Sequence, residues 1–311
     1  MHLWTLQKPA SGLVEPYESA RLREEARELG LQLEIVAPQE IDLVVSRCGR
    51  RSIRRCGAEV ELPDALLPRT GSGTDYFSLA ILRQLEHLGV CVINPSSAIE
   101  AVKDKLYAHQ LLTQRNLPIP RTMLVRFPVD PQLVADQIGF PCVVKLLVGS
   151  YGEGIYLSRD PGSFRDLMEL VSSLDRSPSL ILQEYIGSRP GEDLRVWVVG
   201  GRVLGAMRRR STDGSFKANI SRGGDGELFA LNSVIVELAL ASAAAVNLEI
   251  AGVDLLFDGD HYCVCEVNSA PDFAGFEQAT GLNVASEILQ HCCSCIDVPS
   301  GVVLVPAALT P

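Results

Sequence analysis

Short apolar runs and helical patterns alternate along about the first hundred residues. Residues 3–6 and 31–37 are apolar runs of strand length. Residues 17–29 and 74–88 place apolar side chains three or four positions apart, which is the spacing of an amphipathic helix. Thr74 stands where the N-cap of the second helix is expected. Strands that alternate with helices predict a small α/β layer with parallel strands.

A second unit begins with a turn at residues 94–97. The helical pattern after it runs through Asp104 to about Arg115, which places Lys105 in the middle of a helix. A lysine in that position usually faces solvent, and the pattern itself assigns it no role. Two prolines at residues 117–120 end the helix.

A lysine interrupts an apolar, β-branched strand pattern at residues 140–148. Gly149, Gly152 and Gly154 follow this strand directly. A glycine-rich turn lets backbone N–H groups approach phosphate oxygens, while Lys145 supplies a positive charge. The spacing matches neither a P-loop nor a dinucleotide-binding fingerprint. The pattern therefore fits a phosphate-binding turn and an ordinary hairpin turn equally well.

Basic residues are concentrated in the second strand and loop of a predicted hairpin that begins at Asp193. Residues 202–222 contain six basic residues and one acid, although the net charge of the chain is −10. Phe216 is the one aromatic residue in this stretch, which disfavours stacking on nucleic-acid bases. The local positive charge favours a pocket for an anionic small molecule.

Polar residues mark two apolar strand patterns near the end of the chain. Asp254 interrupts the first, and Glu266 and Asn268 lie in the second. Because side chains alternate between the faces of a strand, Glu266 and Asn268 are expected on one face together with Val264. A buried acid needs a cationic partner, and Mg²⁺ accepts carboxylate and amide oxygens as ligands. The alternative is a surface hairpin with solvated acids, and these residues alone do not decide between the two.

Length and composition describe an ordinary enzyme rather than a membrane or nucleic-acid protein. A chain of 311 residues suggests two or three compact units, and 47% hydrophobic with 21% charged residues is ample for a core. The net charge of −10 argues against nonspecific binding of nucleic acid or of an acidic membrane. No apolar run reaches the roughly 18 residues of a spanning helix.

Nine cysteines are scattered along the chain, and no secretory signal pattern precedes them. We therefore expect a reducing, cytoplasmic setting. Cys292, Cys293 and Cys295 lie beside His291 and could bind a metal ion, but a second cysteine pair at zinc-site spacing is absent, which favours free, partly buried thiols. Cys263 and Cys265 are likewise interpreted as packing residues of the core.

Several short motifs follow one another along the chain. They are Asp104-Lys105, Val144-Lys145, Gln183-Glu-Tyr-Ile186, Asp193-Leu-Arg195, Met207-Arg-Arg209, Gly214-Ser-Phe-Lys-Ala-Asn219, Ser221-Arg-Gly-Gly224, Gly252-Val-Asp254 and Glu266-Val-Asn268. As an ordered set they resemble the ATP-grasp ligases of the RimK type, over roughly residues 1–295. The order of the motifs, rather than any one of them, carries the resemblance.

The resemblance implies an ATP-grasp fold of mixed α/β and α+β class. An N-terminal α/β (pre-ATP-grasp) domain would span residues 1–95. Two α+β subdomains, at residues 96–187 and 188–297, would hold ATP between them, and the second would carry the metal site. Residues 298–311 would form a tail.

The resemblance also implies roles for individual residues. Nucleotide contacts would come from Lys105, Lys145, Ser150, Gly152, Glu184, Tyr185, Ile186, Asp193, Lys217, Ala218 and Asn219. Metal ligands would be Asp254, Glu266 and Asn268, and catalytic arginines would be Arg195, Arg208 and Arg222. In this set Lys145 would contact the phosphates, residues 184–186 the adenine, and Asp193 the ribose.

Ligases of this type use ATP and Mg²⁺ (or Mn²⁺), with two ions implied, to activate a carboxylate and join it to an amine. The implied amino acid is L-glutamate, and the acceptor would be a protein C-terminus, a pterin or deazaflavin cofactor, or an N-acylated amino acid. A homo-oligomer is compatible with this reading. The alternatives are an inactive nucleotide-binding regulatory protein and an ATP-grasp phosphotransferase. Asp272 stands where the family usually has glycine, so the loop after the metal ligands is expected to differ.

Overall fold

The computed structural model describes residues 1–8, 15–45, 52–147, 154–174, 179–216, 218 and 224–297. The described strands form four β-sheets, two of four strands, one of five and one of three. The predicted tail, residues 298–311, lies outside the described residues.

The first unit contains a parallel sheet, as the alternating pattern predicted. Its elements are β1 (His2–Leu6), α1 (Tyr17–Glu28), β2 (Gln32–Val36), β3 (Ile41–Leu43), β4 (Ile53–Arg55), β5 (Ala58–Glu59), β6 (Ala65–Pro68), α2 (Tyr76–His87) and β7 (Cys91–Val92). The parallel strands have the order β2-β1-β6-β7. Strands β3 to β5 form a small antiparallel sheet that the pattern did not predict.

The N-cap of α2 is Asp75 rather than the predicted Thr74. The Asp75 carboxylate accepts a hydrogen bond from the backbone N–H of Ser78 at 2.8 Å, which satisfies one of the donors that a helix start leaves unpaired. The Thr74 hydroxyl instead donates to the carbonyl of Gly71 at 2.7 Å. Both residue types favour N-caps, so the sequence alone could not choose between these neighbours.

The single helix predicted across Asp104 is two helices, α3 (Ser96–Lys103) and α4 (Lys105–Gln114). The Asp104 side chain accepts hydrogen bonds from the backbone N–H groups of Leu106 and Tyr107, both at 3.0 Å. An aspartate that caps a new helix in this way ends the preceding one. Lys105 is therefore the first residue of α4 and not a mid-helix residue, as the pattern had suggested.

The second sheet is antiparallel and has the order β10-β9-β11-β8. Its elements are β8 (Thr122–Leu124), α5 (Pro131–Gln137), β9 (Cys142–Leu146), β10 (Ile155–Ser158), α6 (Pro161–Leu174) and β11 (Leu180–Glu184). Its core contains Phe164, Val144 and Leu182, all buried. We refer to it as the central sheet.

The third sheet is antiparallel, with the order β14-β13-β12-β15-β16. Its elements are β12 (Glu192–Val199), β13 (Arg202–Arg210), β14 (Asp225–Phe229), α7 (Ser233–Ala245), β15 (Ile250–Asp258), β16 (His261–Asn268), α8 (Ala274–Thr280) and α9 (Val284–Asp297). The predicted hairpin is β12 with β13. Helices α3, α4 and α7 pack on one face of this sheet around Val196 and Val253, although α3 and α4 precede the central sheet in the chain.

The N-terminal unit and the third sheet share a core. Leu3 and Leu67 of the parallel sheet pack in one cluster with Trp197, Ile250 and the buried face of α9. The domain boundaries at residues 95 and 187 stay a prediction. Among the described residues, no helix combines the length and the apolar character needed to cross a membrane.

Candidate active site

A cavity of about 620 Å³ lies between the central sheet, the third sheet and the end of β6. We call it the central cavity. Eleven of the residues proposed above for the site line it. They are Lys105, Lys145, Glu184, Tyr185, Ile186, Asp193, Arg195, Ala218, Asp254, Glu266 and Asn268.

The remaining six predicted site residues do not line the cavity in the described part of the chain. Ser150, Gly152, Lys217, Asn219 and Arg222 lie outside the described residues. Arg208 is described and does not line the cavity. Its guanidinium donates a hydrogen bond to Glu227 of the neighbouring strand β14 and lies 3.9 Å from the Glu192 carboxylate. A catalytic role for Arg208 therefore stays a prediction.

The predicted metal ligands lie side by side on β15 and β16. Asp254 is directly opposite Glu266 in the antiparallel register, and Asn268 is opposite Gly252, one pair further along the same face. The Asn268 amide lies 3.4 Å from the Asp254 carboxylate. Asp254, Glu266 and Asn268 thus present oxygen atoms to the cavity from adjacent strands.

A β-bulge interrupts the alternation on β16. Asp254 pairs with Glu266 but Leu255 pairs with Val264, so Cys265 is the extra residue. Val264 is fully buried in the core and does not share a face with Glu266, contrary to the prediction from strict alternation. Residues before the bulge therefore point to the opposite face from the one that strict alternation predicts, whereas Glu266 and Asn268, which follow it, still share one face.

The bulge also places Cys265 at the cavity wall. Its Sγ lies 3.8 Å from the Nζ of Lys145, which extends from β9 of the central sheet. The interpretation as a core packing residue is therefore wrong for Cys265, whereas Cys263 is buried, as predicted. Burial, partly offset by the charge of Lys145, raises the pKa of this thiol, so it is a neutral neighbour of the lysine at physiological pH.

Asp254 is paired with two arginines from the neighbouring strands. Arg195 of β12 donates to both carboxylate oxygens, with Nη2 to Oδ2 at 2.9 Å. Arg209 of β13 approaches the same Oδ2 with Nη2 at 3.1 Å and donates to both oxygens of Asp193 at 2.6 and 2.7 Å. We call these two acids and two arginines the acid–arginine network.

Burial and charge act in opposite directions on the two acids of this network. Burial alone would raise the pKa of Asp254, but the charges of Arg195 and Arg209 outweigh it and hold that pKa below its ordinary value. Asp193 is also buried, and burial raises its pKa although Arg209 offsets part of the effect. Asp254 is consequently the ionised carboxylate at the floor of the cavity.

Lys105 and Glu266 face each other across the cavity edge. The Nζ of Lys105 lies 4.0 Å from the Glu266 carboxylate, and the Glu266 side chain is 41% exposed, so it is accessible to a ligand. The position of Lys105 at the start of α4, set by the Asp104 cap, directs it toward this acid. The split of the predicted helix is thus what brings Lys105 into the site.

The end of β11 lies at the edge of the cavity, beside an apolar part of its wall. Val143, Ile155 and Leu256 line the cavity here beside Glu184 and Tyr185. The Glu184 carboxylate accepts hydrogen bonds from Arg121 at 3.0 and 3.2 Å, and the ring of Tyr185 meets that of Phe216 edge to face with ring centroids 6.4 Å apart. Apolar side chains beside a few polar groups are typical of a pocket for a small molecule.

Sequence reasoning assigned no role to several residues that line the cavity. Arg209 was quoted within a motif but given no role, and Arg69, Lys103 and Glu18 line the cavity from the N-terminal unit and α3. Arg69 donates to the carbonyl of Pro271 at 2.7 Å, which ties the end of β6 to the loop after β16. Its position after a parallel strand was the available indication, because ligands bind at the carboxyl ends of such strands.

The donor set of the strand pair fits a hard divalent cation. Two carboxylates and an amide are the ligand types of Mg²⁺. An ionised carboxylate offers about four lone-pair positions, so Asp254 can accept from its arginines and still contribute an oxygen to a cation. Among the predicted metal ligands, Glu266 has the carboxylate that is accessible at the cavity edge, with its side chain 41% exposed.

Solved structures show which fold this chain has. One is the ATP-grasp ligase PsnB complexed with a phosphomimetic variant of its minimal precursor, Mg and ADP, which matches with a TM-score of 0.72 and 20% identity over 94% of this chain and 98% of that chain. Another is a RimK domain ATP-grasp protein from Sphaerobacter thermophilus, with a TM-score of 0.71 and 19% identity over 94% and 99% of the two chains. The fold is that of the ATP-grasp ligases.

Sequence comparison narrows the class to a family. Residues 7–99 match the RimK pre-ATP-grasp domain, and residues 102–292 match the RimK-like ATP-grasp domain. The "probable alpha-L-glutamate ligase 1" of Shewanella frigidimarina is 35% identical over 88% of this chain and 90% of its own length. The "probable alpha-L-glutamate ligase" of Xanthomonas oryzae pv. oryzae is 37% identical over 88% and 92% of the two chains. The chain belongs to the RimK-like ATP-grasp family and is an ATP-dependent ligase.

Proposed function

We propose that this ligase uses ATP and Mg²⁺ to join the amino group of L-glutamate to an acceptor carboxylate through an acyl-phosphate. The observation that carries the proposal is the central cavity, which gathers two lysines, an arginine-paired acid and two further oxygen ligands. The names of the relatives support glutamate as the amino acid. The acceptor belongs to the classes given above, namely a protein C-terminus, a pterin or deazaflavin cofactor, or an N-acylated amino acid.

The reaction has two steps. An oxygen of the acceptor carboxylate attacks the γ-phosphorus of ATP, and ADP leaves. The amine then attacks the carbonyl carbon of the acyl-phosphate, the C–N bond forms, and phosphate leaves with the electrons of the C–O bond while the nitrogen loses a proton. Both steps concentrate negative charge, so positioned cations stabilise them without a covalent enzyme intermediate.

Each wall of the cavity has a role in this scheme. Backbone groups of residues 184–186 hold the adenine edge against the apolar wall, and Asp193 holds the ribose. Lys105 and Lys145 bind phosphate oxygens, and Arg195 neutralises the acyl-phosphate. Ser150, Gly152, Lys217, Ala218 and Asn219 contribute further nucleotide contacts, and Arg208 and Arg222 further positive charge.

Mg²⁺ held by Asp254, Glu266 and Asn268 would neutralise charge on the phosphates during transfer. We propose that two ions bind, and Mn²⁺ would be accepted by the same oxygen ligands. In the absence of the ion, Arg195 and Arg209 hold the Asp254 carboxylate in place, which keeps the ligand set ordered before the nucleotide arrives.

Coupled assays of ADP and phosphate release test the proposal, with L-glutamate and a panel of acceptor carboxylates. We expect release only when ATP, glutamate and an acceptor are all present. The Glu266→Gln variant should lower turnover about 100-fold or more, because loss of a metal ligand removes several kcal/mol of transition-state stabilisation. Glu237→Gln, on the exposed face of α7, is the charge-matched control and should keep full turnover.

The outcomes separate the proposal from its alternatives. Full turnover in Glu266→Gln contradicts the metal assignment. A phosphorylated product that persists in the presence of amines indicates a phosphotransferase. Nucleotide binding without release of ADP for any acceptor in the panel indicates a regulatory protein.

A further inference from the structure

A second group of metal-binding side chains lies on α9, away from the central cavity. Glu249 precedes β15, and His291 and Cys295 lie one turn apart on α9. The three ligand atoms lie within 4.8 Å of one another, and none of these residues lines the central cavity. We call this group the Glu–His–Cys cluster.

The distances within the cluster are those of a coordination shell. The Nε2 of His291 lies 2.8 Å from Oε2 of Glu249, and the Sγ of Cys295 lies 3.4 Å from that oxygen and 3.5 Å from that nitrogen. With zinc–ligand distances of about 2.0–2.3 Å, a tetrahedral site has S–N and S–O edges of roughly 3.5 Å and an N–O edge of roughly 3.3 Å. Two edges therefore match directly, and the third requires a movement of about half an ångström.

Both sides of the cluster are held in place by other contacts. The backbone N–H of Glu249 donates to the Asn94 side chain at 2.8 Å, and its carbonyl accepts from Gly200 at the β12–β13 turn at 2.8 Å. Helix α9 is anchored by Ile288, Leu289 and Cys292, all fully buried. The ligands therefore come from rigid elements, which is the condition for a preorganised site.

The orientation of the imidazole is fixed by the turn beneath it. A Cβ atom at Gly200 would lie 2.6 Å from the Nδ1 of His291, so the ring packs directly on the glycine backbone. Nε2 is thereby directed at Glu249 and Cys295. The Glu249 side chain is 45% exposed, so the cluster is open to solvent on one side.

We propose that Glu249, His291 and Cys295 form a zinc site that joins α9 to the start of β15. A thiolate together with an imidazole and a carboxylate selects Zn²⁺ over Mg²⁺, and a water molecule on the exposed side of Glu249 completes the tetrahedron. Binding releases the thiol proton of Cys295 to solvent, and the proton that Nε2 of His291 donates to Glu249 transfers through solvent to Nδ1, which leaves a neutral imidazole. The site is separate from the proposed Mg²⁺ ligands and has a structural role at the junction of the N-terminal unit with the third sheet.

Cobalt substitution tests the site on the full-length chain. After dialysis against a chelator, one equivalent of Co²⁺ should give the near-ultraviolet charge-transfer band of a cobalt–thiolate bond, and Zn²⁺ should displace it with a stoichiometry of one per chain. Cys295→Ser should abolish the band, and His291→Gln should weaken metal binding at least tenfold. Cys293→Ser, on the same helix, is the matched control and should bind as the wild type does.

Thermal unfolding provides a second readout. Zn²⁺ should raise the Tm of the wild type and of Cys293→Ser, but not of Cys295→Ser, because a ligand that binds the folded state stabilises it by mass action. The proposal is overturned if the wild type shows no cobalt–thiolate band, or if Cys295→Ser and His291→Gln both bind metal as tightly as the wild type. Glu266→Gln should keep the band, which separates this site from the proposed catalytic one.

Discussion

At the scale of single residues, the acid–arginine network shows how one side chain can serve two purposes. Asp254 faces the cavity as a proposed metal ligand, and it also accepts hydrogen bonds from Arg195 and Arg209. The charges of the two arginines offset the cost of burying the Asp254 carboxylate, and the carboxylate in turn stabilises the charges of the arginines. Removing any one residue of the network leaves an unpaired buried charge. The resulting loss of stability is larger than the net stabilisation that the intact ion pair contributes.

Arg209 and its neighbour Arg208 provide a matched pair of variants. Arg209 is 5% exposed and bridges Asp193 and Asp254, so Arg209→Met should lower the free energy of unfolding by about 3–5 kcal/mol. Arg208 pairs with the exposed Glu227 on the other face of β13, so Arg208→Met should cost about 1 kcal/mol or less. Urea unfolding measures both, and equal losses would contradict the distinction between the two faces.

Lys145 should act on the nucleotide rather than on the fold. It lines the cavity beside Cys265, and a hydrogen bond to a charged phosphate contributes about 1.5–3 kcal/mol. Lys145→Met should therefore weaken ATP binding about ten- to hundredfold in calorimetric titration, with little change in Tm. Arg165→Met, on the exposed face of α6, removes the same charge at a distance and should bind ATP normally.

At the scale of elements, α4 connects the two sheets that enclose the cavity. Its buried His109 lies 3.1 Å from the Thr122 hydroxyl of β8 and 3.1 Å from the carbonyl of Cys265 at the bulge of β16. Four residues earlier, the same helix begins with Lys105 at the cavity edge. The Asp104 cap and the His109 contacts together set the position of that lysine.

His109 should make stability depend on pH. Burial lowers its pKa to about 4, whereas a histidine in an unfolded chain titrates near 6.5. The unfolded state thus binds more protons between these values, so the His109 contribution is complete above about pH 6.5 and is lost as the pH falls toward 4, by up to roughly 3 kcal/mol. The free energy of unfolding of His109→Gln should therefore change less with pH across this range than that of the wild type. Identical slopes would show that His109 is not the titrating group.

At the scale of the whole molecule, one asparagine joins the N-terminal unit to the third sheet. The Asn94 side chain is 2% exposed, donates to the carbonyls of Ile250 and Ser269 at 2.7 and 2.8 Å, and accepts from two backbone N–H groups at the start of β15. It therefore contacts the segments on either side of the proposed metal ligands. Glu277 makes a comparable connection, because its carboxylate accepts from Tyr17 of α1 and from the first turn of α9.

Asn94→Ala should destabilise the whole chain. Loss of the side chain leaves buried carbonyl and N–H groups without partners, and each such group costs about 1–3 kcal/mol. We therefore expect the free energy of unfolding, measured with urea, to fall by about 3 kcal/mol or more. Gln110→Ala, on the exposed side of α4, removes a side-chain amide without such contacts and should stay within about 0.5 kcal/mol of the wild type. A similar small effect in Asn94→Ala would mean that water replaces these bonds.

Much of the architecture was open to prediction because it follows from local patterns. The parallel first sheet, the β12–β13 hairpin and the shared face of Glu266 and Asn268 all arise from apolar periodicity within one segment. The break at Asp104 was missed because α3 and α4 continue one helical pattern, and only the cap geometry separates them. The bulge at Cys265 was missed because residues 262–265 are all apolar, so an extra residue there leaves no break in a polar–apolar alternation.

What the sequence determined by itself was the kind of fold and the chemical types in the site, since ordered motifs and residue types are properties of the chain. What only the tertiary structure decided was which of these residues meet. Asp254 meets Arg195 and Arg209 through the register of three strands, and Arg209 rather than Arg208 faces the cavity. Residues 203–207 of β13 are a continuous apolar run, and three consecutive arginines follow it. The pattern therefore does not distinguish one face of the strand from the other, and a shift of one residue would exchange the two faces. The pairing of strands far apart in the chain supplies that choice.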